Sequence, residues 1–317
     1  QAANLDVETS ENSIQESIAQ IYIQILYAAE SVKVNENTLQ VSIAQRDRGQ
    51  ELLNAGSIAK SDLAQLEAQV STDRYQLVTA QATLQDYKLQ LKQLLELDGE
   101  NEMNVYLPAL SDENVLLPLP TKKDVYMSAL TLRPEIEASK LSVEASELGI
   151  DIAKAGYLPT ISLSAGIGTN HTSGSDFTFG EQVKNGWNNS IGVSVSVPIF
   201  NNRQTKSAVQ KAKLQRETSL LSLLDEQKTL YKTIEGLWLD ANSAQQRYAA
   251  ANEKLRSTQI SYDLISEQFN LGMKNTVELL TEKNNLLQAQ QEQLQAKYMA
   301  ILNTQLLKFY QGDKLAL

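Results

Sequence analysis

The segment SIGVSVSVPIF, residues 190–200, alternates strictly between two kinds of side chain. From Ile191 to Val197 every odd position is a branched apolar residue, and every even position is Gly or Ser. A period of two is typical of a β-strand that presents different side chains on its two faces. The segment ISLSAGIG, residues 161–168, repeats the pattern, and a polar, Gly-rich loop that contains the single His171 is expected to join the two. The sequence therefore predicts a β-hairpin with one apolar face and one small, uncharged face.

These two faces favour a strand pair of a transmembrane barrel, with apolar side chains toward lipid and small polar side chains toward the lumen. Strands of roughly nine to eleven residues are long enough for a tilted crossing of the bilayer. The strands alone leave open an ordinary half-buried hairpin that packs on a helix. In lipid, however, a lone hairpin would leave its backbone edges unpaired, so several copies of the chain would have to close one barrel.

Long helices are predicted on both sides of the strands. Between about residues 61 and 97, apolar positions recur every three or four residues from Leu63 to Leu94, and Asp73 is the only polar member of this series. Such spacing, kept over about five heptads, is typical of a coiled coil. Further helices are expected at about 5–54, 121–131, 134–155 and 276–310, and from a cap at Asn201 or Asn202 as far as Gly272.

Pro and Gly residues divide these elements. Three prolines lie within residues 98–120, where no continuous helix is expected. We therefore predict a mainly α fold of long antiparallel coiled-coil helical hairpins with a small transmembrane β-barrel hairpin. The expected parts are a first helical hairpin (1–97), a mixed segment (98–133), an ascending helix (134–159), the β-hairpin (160–199), a second helical hairpin (200–310) and a C-terminal tail (311–317).

Two glycine-containing turns indicate an internal repeat. The segments LNAGSIAKSDL, residues 53–63, and FNLGMKNTVEL, residues 269–279, align on Gly56 and Gly272. Each segment has Asn two positions before its glycine, an acidic residue six positions after it and Leu seven positions after it. Because the offset is far longer than the period of a solenoid, we expect two similar helical hairpins that pack side by side.

Composition argues against several classes of function. Among 317 residues there is no Cys and a single His, which excludes disulfides, thiol chemistry and the common zinc clusters, so no metal or cofactor is expected. A formal net charge of −10 argues against a nucleic-acid partner bound through its phosphates. No nucleophile elbow, phosphate-binding loop or paired-carboxylate cleft is visible, so we do not expect an enzyme.

The order of the elements resembles that of the TolC family of outer-membrane efflux proteins. RPEIEASKLSVEASELGIDIAKAGYLPTISLSAGIG, residues 133–168, resembles the family's helix start, Ala-rich helix and Leu-Pro entry to a barrel strand. VPIFNNRQTKSAVQKAKLQ, residues 197–215, resembles the exit from its second strand. The resemblance implies a homotrimer with a barrel in outer-membrane lipid and a helical tunnel in the periplasm. It also implies passive export of small molecules, with a periplasmic adaptor and an inner-membrane pump as partners.

The same resemblance assigns functional roles to the two turns. It places adaptor docking at the tip triplets Ala55-Gly56-Ser57 and Leu271-Gly272-Met273. It places a periplasmic gate at Lys274, where the family often has an arginine, with Asp62 and Ser61 as its partners. The remaining gate positions are Phe269, where the family can have Tyr, Glu278, which matches a ring of acidic residues, and Thr281, which replaces a second acid.

These differences from the family imply a gate that is looser than in members with the full set. A simpler interpretation of the charged residues stays open as well. Asp62 and Glu278 stand in the first turns of helices, where acidic side chains are favoured by the helix dipole, and Asn275 and Glu278 have the spacing of a capping box. On the same interpretation, Lys274 is only a solvated lysine in a turn.

Two further expectations concern the protein as a whole. The alternative to an export duct is a soluble structural coiled-coil protein, such as a fibre or appendage subunit, with a β insertion. Such an insertion should carry charges on one strand face, and these strands carry none. The strands begin near Thr160, well before Gly272, and the same spacing counted back from Gly56 falls before Gln1. We therefore expect an N-terminally truncated fragment that lacks a first barrel hairpin, is soluble without detergent and forms no channel alone.

Overall fold

The computed structural model describes residues 2–97, 104–108 and 115–315. In these ranges the chain forms seven helices and two strands, so the predicted mainly helical fold is confirmed. In chain order the elements are α1 (Ala2–Asn54), α2 (Lys60–Leu94), α3 (Lys122–Leu132), α4 (Pro134–Ala155), β1 (Thr160–Gly168), α5 (Phe179–Asn185), β2 (Asn188–Ser196), α6 (Gln204–Asn270) and α7 (Thr276–Gln311).

The starts of α3 and α4 follow from local chemistry. The hydroxyl of Thr121 accepts a hydrogen bond from the backbone amide of Asp124 (3.2 Å), which caps α3. Helix α4 begins at Pro134, as predicted, because proline fixes a helical φ and its missing N–H is not needed in the first turn. Glu135 and Glu137 also stand in this first turn, near the positive end of the helix dipole.

Two local predictions were wrong. The connection between the strands contains a short helix, α5, whose cap is Thr178: the carboxylate of Glu181 accepts a hydrogen bond from the Thr178 backbone amide (2.9 Å). Helix α6 begins at Gln204 and not directly after a cap at Asn201 or Asn202. Asn202 and Arg203 adopt left-handed φ angles of 51° and 62°, so the chain turns once more before the helix starts.

The predicted irregular segment lies partly outside the described residues. Residues 104–108 and 117–121 contain neither helix nor strand, in agreement with the prolines of this segment. The predicted C-terminal tail also lies partly outside. Its described part begins with the last residue of α7 and continues through Gly312, which ends that helix in a left-handed conformation (φ 100°).

The two strands form the predicted antiparallel hairpin. Leu163 lies opposite Val193, and Ser164 lies opposite Gly192. At these positions apolar residues pair with apolar residues on one face, and small residues pair with small residues on the other, whereas Ile167 lies opposite Asn189. The Ser164 hydroxyl donates a hydrogen bond to the Gly192 carbonyl (3.3 Å), so even this polar side chain is satisfied within the hairpin.

The chain divides into two compact units. Unit 1 comprises Ala3–Glu137 and the chain from Gln227 onward, and it contains both helical turns. One core cluster joins α3 and the start of α4 to α6 and to the C-terminal part of α7 through Val125, Ala129, Ile136, Leu230, Ile234, Ala241, Leu307 and Tyr310. A second cluster packs α1 against α7 through Ala19, Ile23, Leu26, Leu294, Tyr298, Leu302 and Leu306.

Arg133 connects three elements of unit 1. Its guanidinium donates to Glu16 of α1 (2.9 Å) and to Glu135 at the start of α4 (2.9 Å). It also lies 4.0 Å from the ring centroid of Tyr310 in α7. Arg suits this place because its planar guanidinium can pair with two carboxylates and stack on an aromatic ring at the same time. The Arg-Pro-Glu sequence is therefore a packing element as well as a helix start.

Unit 2, Ala138–Glu226, contains the β-hairpin with parts of α4 and α6. Of its residues, all of which the structure describes, only Thr205 is buried. Its Oγ1 donates to the Gly156 carbonyl (3.3 Å), and Arg216 pairs with Glu147 (2.8 Å). Many large apolar side chains of this unit are exposed, including Leu148, Ile152, Leu214 and Leu221. Throughout the described ranges, no helix carries an apolar stretch of the length required to cross a membrane.

Candidate functional site

The two helical hairpins turn with the same backbone geometry. In each turn the glycine, Gly56 or Gly272, has a left-handed φ of 75° or 72°, a region that favours a residue without Cβ. Its amide donates to the carbonyl three residues earlier (2.9 Å), and the following amide donates to the carbonyl four residues before the glycine (2.8 Å). This pattern is a Schellman-type helix end. We call residues 55–59 the first turn and residues 271–275 the second turn.

Acidic side chains start the helix that follows each turn. The Asp62 carboxylate accepts a hydrogen bond from the Ala59 amide (3.0 Å), and the Glu278 carboxylate accepts one from the Asn275 amide (3.2 Å). In the second turn there is also a reciprocal hydrogen bond, in which the Asn275 side chain accepts from the Glu278 amide (2.9 Å). The predicted capping box is therefore confirmed, whereas the first turn has only half of it because Ala59 has no polar side chain.

The predicted gate residues find partners close to them in sequence. Lys274 Nζ lies 2.5 Å from Glu278 Oε1. The hydrogen bond from Lys274, together with that from the Asn275 amide, lowers the pKa of the Glu278 carboxyl below its ordinary value. Among the described residues no ion pair joins Lys274 to Asp62, and Ser61 is exposed. A lock between Lys274 and Asp62 thus stays a prediction for the assembled protein.

Phe269 lies in a core between the two hairpins. Its side chain is 2 % exposed and clusters with Leu52 of α1, Leu66 of α2 and Leu279 of α7. The family resemblance places this residue in the gate, because the family can have Tyr there. In this chain the ring fills the space between the two hairpins close to their turns. A role in gating stays a prediction.

The two tip triplets are free of packing within the chain. All six residues are exposed, and Leu271 and Met273 remain 69 % and 71 % exposed despite their apolar side chains. No atom lies within 4 Å of the place that a Cβ would occupy at Gly56 or Gly272. The turns therefore offer small backbone-rich surfaces, with apolar side chains beside the second glycine, to which another helical hairpin could come close.

Arg48 joins the two hairpins near their turns, a contact that was not predicted from the sequence. Its guanidinium donates to the carbonyl of Asn270, the last residue of α6 (3.1 Å), and to the Glu51 carboxylate (2.7 Å). The last carbonyls of a helix lack partners within the helix, and a cation is favoured there by the dipole. One turn away, Gln45 donates to the Tyr262 hydroxyl (2.8 Å). In the sequence, both α1 residues look like ordinary solvated polar positions.

The β-hairpin presents the second candidate surface. Every residue of β1 and β2 is exposed. The alternation puts its branched side chains on one face, and none of them is covered by another part of the chain: Ile161, Leu163, Ile167, Ile191, Val193 and Val195. A continuous exposed apolar face of this kind marks a surface for lipid or for another protein.

The single histidine lies in the connection between the strands, as predicted. Its Nδ1 is 3.1 Å from Gln182 Oε1, and its ring packs edge-on against Phe179. Among the described residues, no group of three or more His, Asp or Glu side chains is arranged to hold a metal ion.

Similarity to known proteins agrees with this geometry. Residues 125–312 match the family described as outer membrane efflux protein. Over 294 residues the chain is 25% identical to outer membrane efflux protein BepC of Brucella suis, which covers 92% of this chain and 61% of BepC. It is also 25% identical to outer membrane protein TolC of Escherichia coli, over 93% of this chain and 60% of TolC. The chain thus spans about three-fifths of the length of these curated relatives.

The fold is shared with solved structures as well. The outer membrane protein VceC from Vibrio cholerae superposes with a TM-score of 0.80 at 17% identity, over 99% of this chain and 73% of VceC. Since the family match extends from α3 to the end of α7 and covers more than half of the sequence, the chain belongs to the outer membrane efflux protein family, the family of TolC.

Proposed function

We propose that this protein is the outer-membrane duct of a tripartite efflux or secretion system. Three copies would form one tunnel, a homotrimer, through which small molecules leave the cell passively and without enzymatic chemistry. The observation that carries the proposal is unit 2, in which the structure buries only Thr205 while the apolar face of the β-hairpin stays exposed. Burial of apolar surface stabilises a fold by roughly 25 cal/mol per Å², and this unit obtains little of it alone.

Insertion of the hairpin into outer-membrane lipid would cover this face. The outer edges of both strands carry backbone groups that have no partner in a two-stranded sheet. Such groups cannot remain unpaired in lipid, so hairpins of several copies would have to join into a closed barrel. Small side chains such as Ser164 and Gly192 would then face the lumen, where they leave room for passing solutes.

The helical hairpins would form the periplasmic part. Residues 98–133 would lie at the equator of the tunnel, and the two turns would be its lower end. The exposed triplets at Gly56 and Gly272 would dock a periplasmic adaptor protein, which joins the duct to an inner-membrane pump. Lys274, Asp62, Ser61, Phe269 and Glu278 would form the gate.

The membrane surface can be tested by placing one charge on either face of β2. Val193→Arg puts a guanidinium at the middle of the apolar face, which costs about 2–4 kcal/mol when that face contacts the bilayer midplane. Ser194→Arg, the matched control, puts the same charge on the opposite face. We expect full-length Val193→Arg to be lost from the outer-membrane fraction, while Ser194→Arg still assembles. Equal recovery of both variants from that fraction would contradict the proposed orientation.

A further inference from the structure

Asp73, the one polar residue in the apolar series of α2, is buried within unit 1. Its carboxylate is paired with Lys283 of α7, and the two residues are 1 % and 3 % exposed. Ser42 of α1 completes the group: Lys283 Nζ donates to its hydroxyl, which in turn donates to Asp73 Oδ2. Gln69 donates to the second carboxylate oxygen (2.9 Å). We call Ser42, Asp73 and Lys283 the buried triad.

The triad has an unfavourable environment for charge. Burial lowers the pKa of the Lys283 ammonium, and the hydrogen bond and charge of Asp73 oppose this effect. A buried ion pair often adds little net stability, because desolvation of both ions offsets their attraction. Removal of one partner is costly, however, since the other then remains as an unpaired buried charge. The triad therefore raises the free energy of any arrangement in which its helices are misaligned, although it adds little to the stability of the native fold.

The sequences of α2 and α7 would also allow an alignment in which one helix is shifted along the other. Residue numbers rise together along α2 and α7, which share the core cluster that contains Leu66 and Leu279. Because the apolar series of α2 repeats every seven residues, a shift by one heptad would again put apolar side chains opposite one another. The same shift would place Lys283 beside Leu66 or Ala80 and would leave it without a counter-ion.

We infer that the buried triad is a register lock, which fixes the axial alignment of the first helical hairpin, α1 and α2, against α7. The apolar residues alone would allow several alignments of these helices, and the triad selects one of them. A single polar group in a coiled-coil seam is known to act in this way. This alignment would be needed whether or not the protein forms a duct.

Stability measurements on the full-length protein test the first half of the inference. Asp73→Leu and Lys283→Met should each raise the equilibrium constant for unfolding by on the order of 100-fold. The matched control is Lys254→Met, which breaks an exposed pair between α6 and α7 (Lys254 to Glu292, 2.7 Å) and should change the constant less than about fivefold. The double variant Asp73→Leu/Lys283→Met should return to within about tenfold of the wild type.

Cross-linking tests the register itself. The 317-residue sequence contains no Cys, so the introduced thiols are the only ones within these residues. Ser31 of α1 and Gln291 of α7 lie in hydrogen-bond contact (3.2 Å), and cysteines at these positions report the native register. Cysteines at Ser31 and Asn284 report the one-heptad shift that brings Lys283 beside Ala80, which is a displacement of about 10 Å.

With the triad intact, only the Ser31–Gln291 cysteine pair should cross-link. In the double variant both cysteine pairs should cross-link, because the apolar replacement keeps the fold but no longer selects one register. A double variant that cross-links only in the native register would overturn the inference. So would single variants that are no less stable than Lys254→Met. Failure of the double variant to fold would also overturn it, since the triad would then be required for folding itself.

Discussion

Lys274 pairs with Glu278 one helical turn further along the chain, with Nζ 2.5 Å from Oε1. The lysine that the family resemblance assigns to the gate therefore already has a partner inside its own turn. Asp62, its predicted partner, is occupied in the same way by the Ala59 amide. Both contacts are partly exposed. An exposed ion pair such as Lys274–Glu278 contributes about 0–1 kcal/mol, so an exchange of the Lys274 partner on assembly would cost little.

Reversal of the charge at Lys274 should weaken the gate. Lys274→Glu replaces an attraction to Glu278 with a repulsion and adds another acidic side chain to the proposed gate. We expect larger single-channel conductance and more leakage of drugs into sensitised cells. Lys254→Glu is the matched control, because it reverses the charge in another exposed pair of the same helical hairpin. If Lys274→Glu and the wild type conduct equally, these residues only start the helix.

Truncation of Phe269 should destabilise the junction of the two hairpins. Phe269→Ala would leave a cavity among Leu52, Leu66 and Leu279 and should cost about 3–5 kcal/mol of unfolding free energy. Met273→Ala, which changes an exposed side chain of the second turn, should stay within about 0.5 kcal/mol of the wild type. Denaturant unfolding followed by circular dichroism measures both. A Phe269→Ala cost as small as that of Met273→Ala would show that the ring is not a core residue.

The stability of the protein should fall in alkali because of Tyr310. Burial, with the nearby Glu16 charge, raises the pKa of its hydroxyl from 10.0 to about 12, and Arg133 opposes this rise. The unfolded chain releases this proton near pH 10 and the folded chain near pH 12. The protonated hydroxyl therefore contributes fully to the free energy of unfolding below pH 10. Between about pH 10 and 12 this contribution is lost, and the free energy of unfolding falls by on the order of 2 kcal/mol.

Tyr310→Phe checks this linkage directly. Without the hydroxyl, the unfolding free energy should decline less steeply across that window, by the equivalent of one proton. Tyr75→Phe, at an exposed position of α2, is the matched control for the substitution. The assignment fails if the pH dependence of unfolding is the same in Tyr310→Phe and in the wild type.

Bulk at the second turn should block the adaptor. Gly272→Trp fills the open space beside the turn, whereas Gly272→Ala imposes the same left-handed strain on a residue with Cβ but adds little volume. We expect efflux to be abolished by Trp and largely kept by Ala, with the trimer intact in both. Drug susceptibility of cells that carry each variant measures this. Wild-type efflux in Gly272→Trp would place docking elsewhere.

The features of this protein that were predictable from sequence are those set by neighbours along the chain. Alternation from Ile191 to Val197 predicts the hairpin and its two faces, and Pro134 marks the start of α4. The glycines at 56 and 272 mark the two turns because each needs a left-handed φ. The short helix α5 was missed, although the Thr178-to-Glu181 capping pair is a local signal for it.

Contacts between distant parts of the chain were not predictable. Asp73 stands out as polar within an apolar series, yet its partner Lys283 is 210 residues away and looks like any helical lysine. The link from Arg48 to Asn270 ends on a backbone carbonyl, which leaves no trace in side-chain spacing. Phe269 differs from the family's tyrosine by a hydroxyl, and only the fold shows that its ring is buried.

Conductance of the full-length protein in planar lipid bilayers tests the proposed duct most directly. A trimer with a closed barrel and an acidic tunnel should give discrete channels that prefer cations, given the net charge of −10 and the acidic Glu278 at the second turn. Lys274→Glu should enlarge these channels, and Val193→Arg should abolish them. Absence of channels, or channels that prefer anions, would contradict the account.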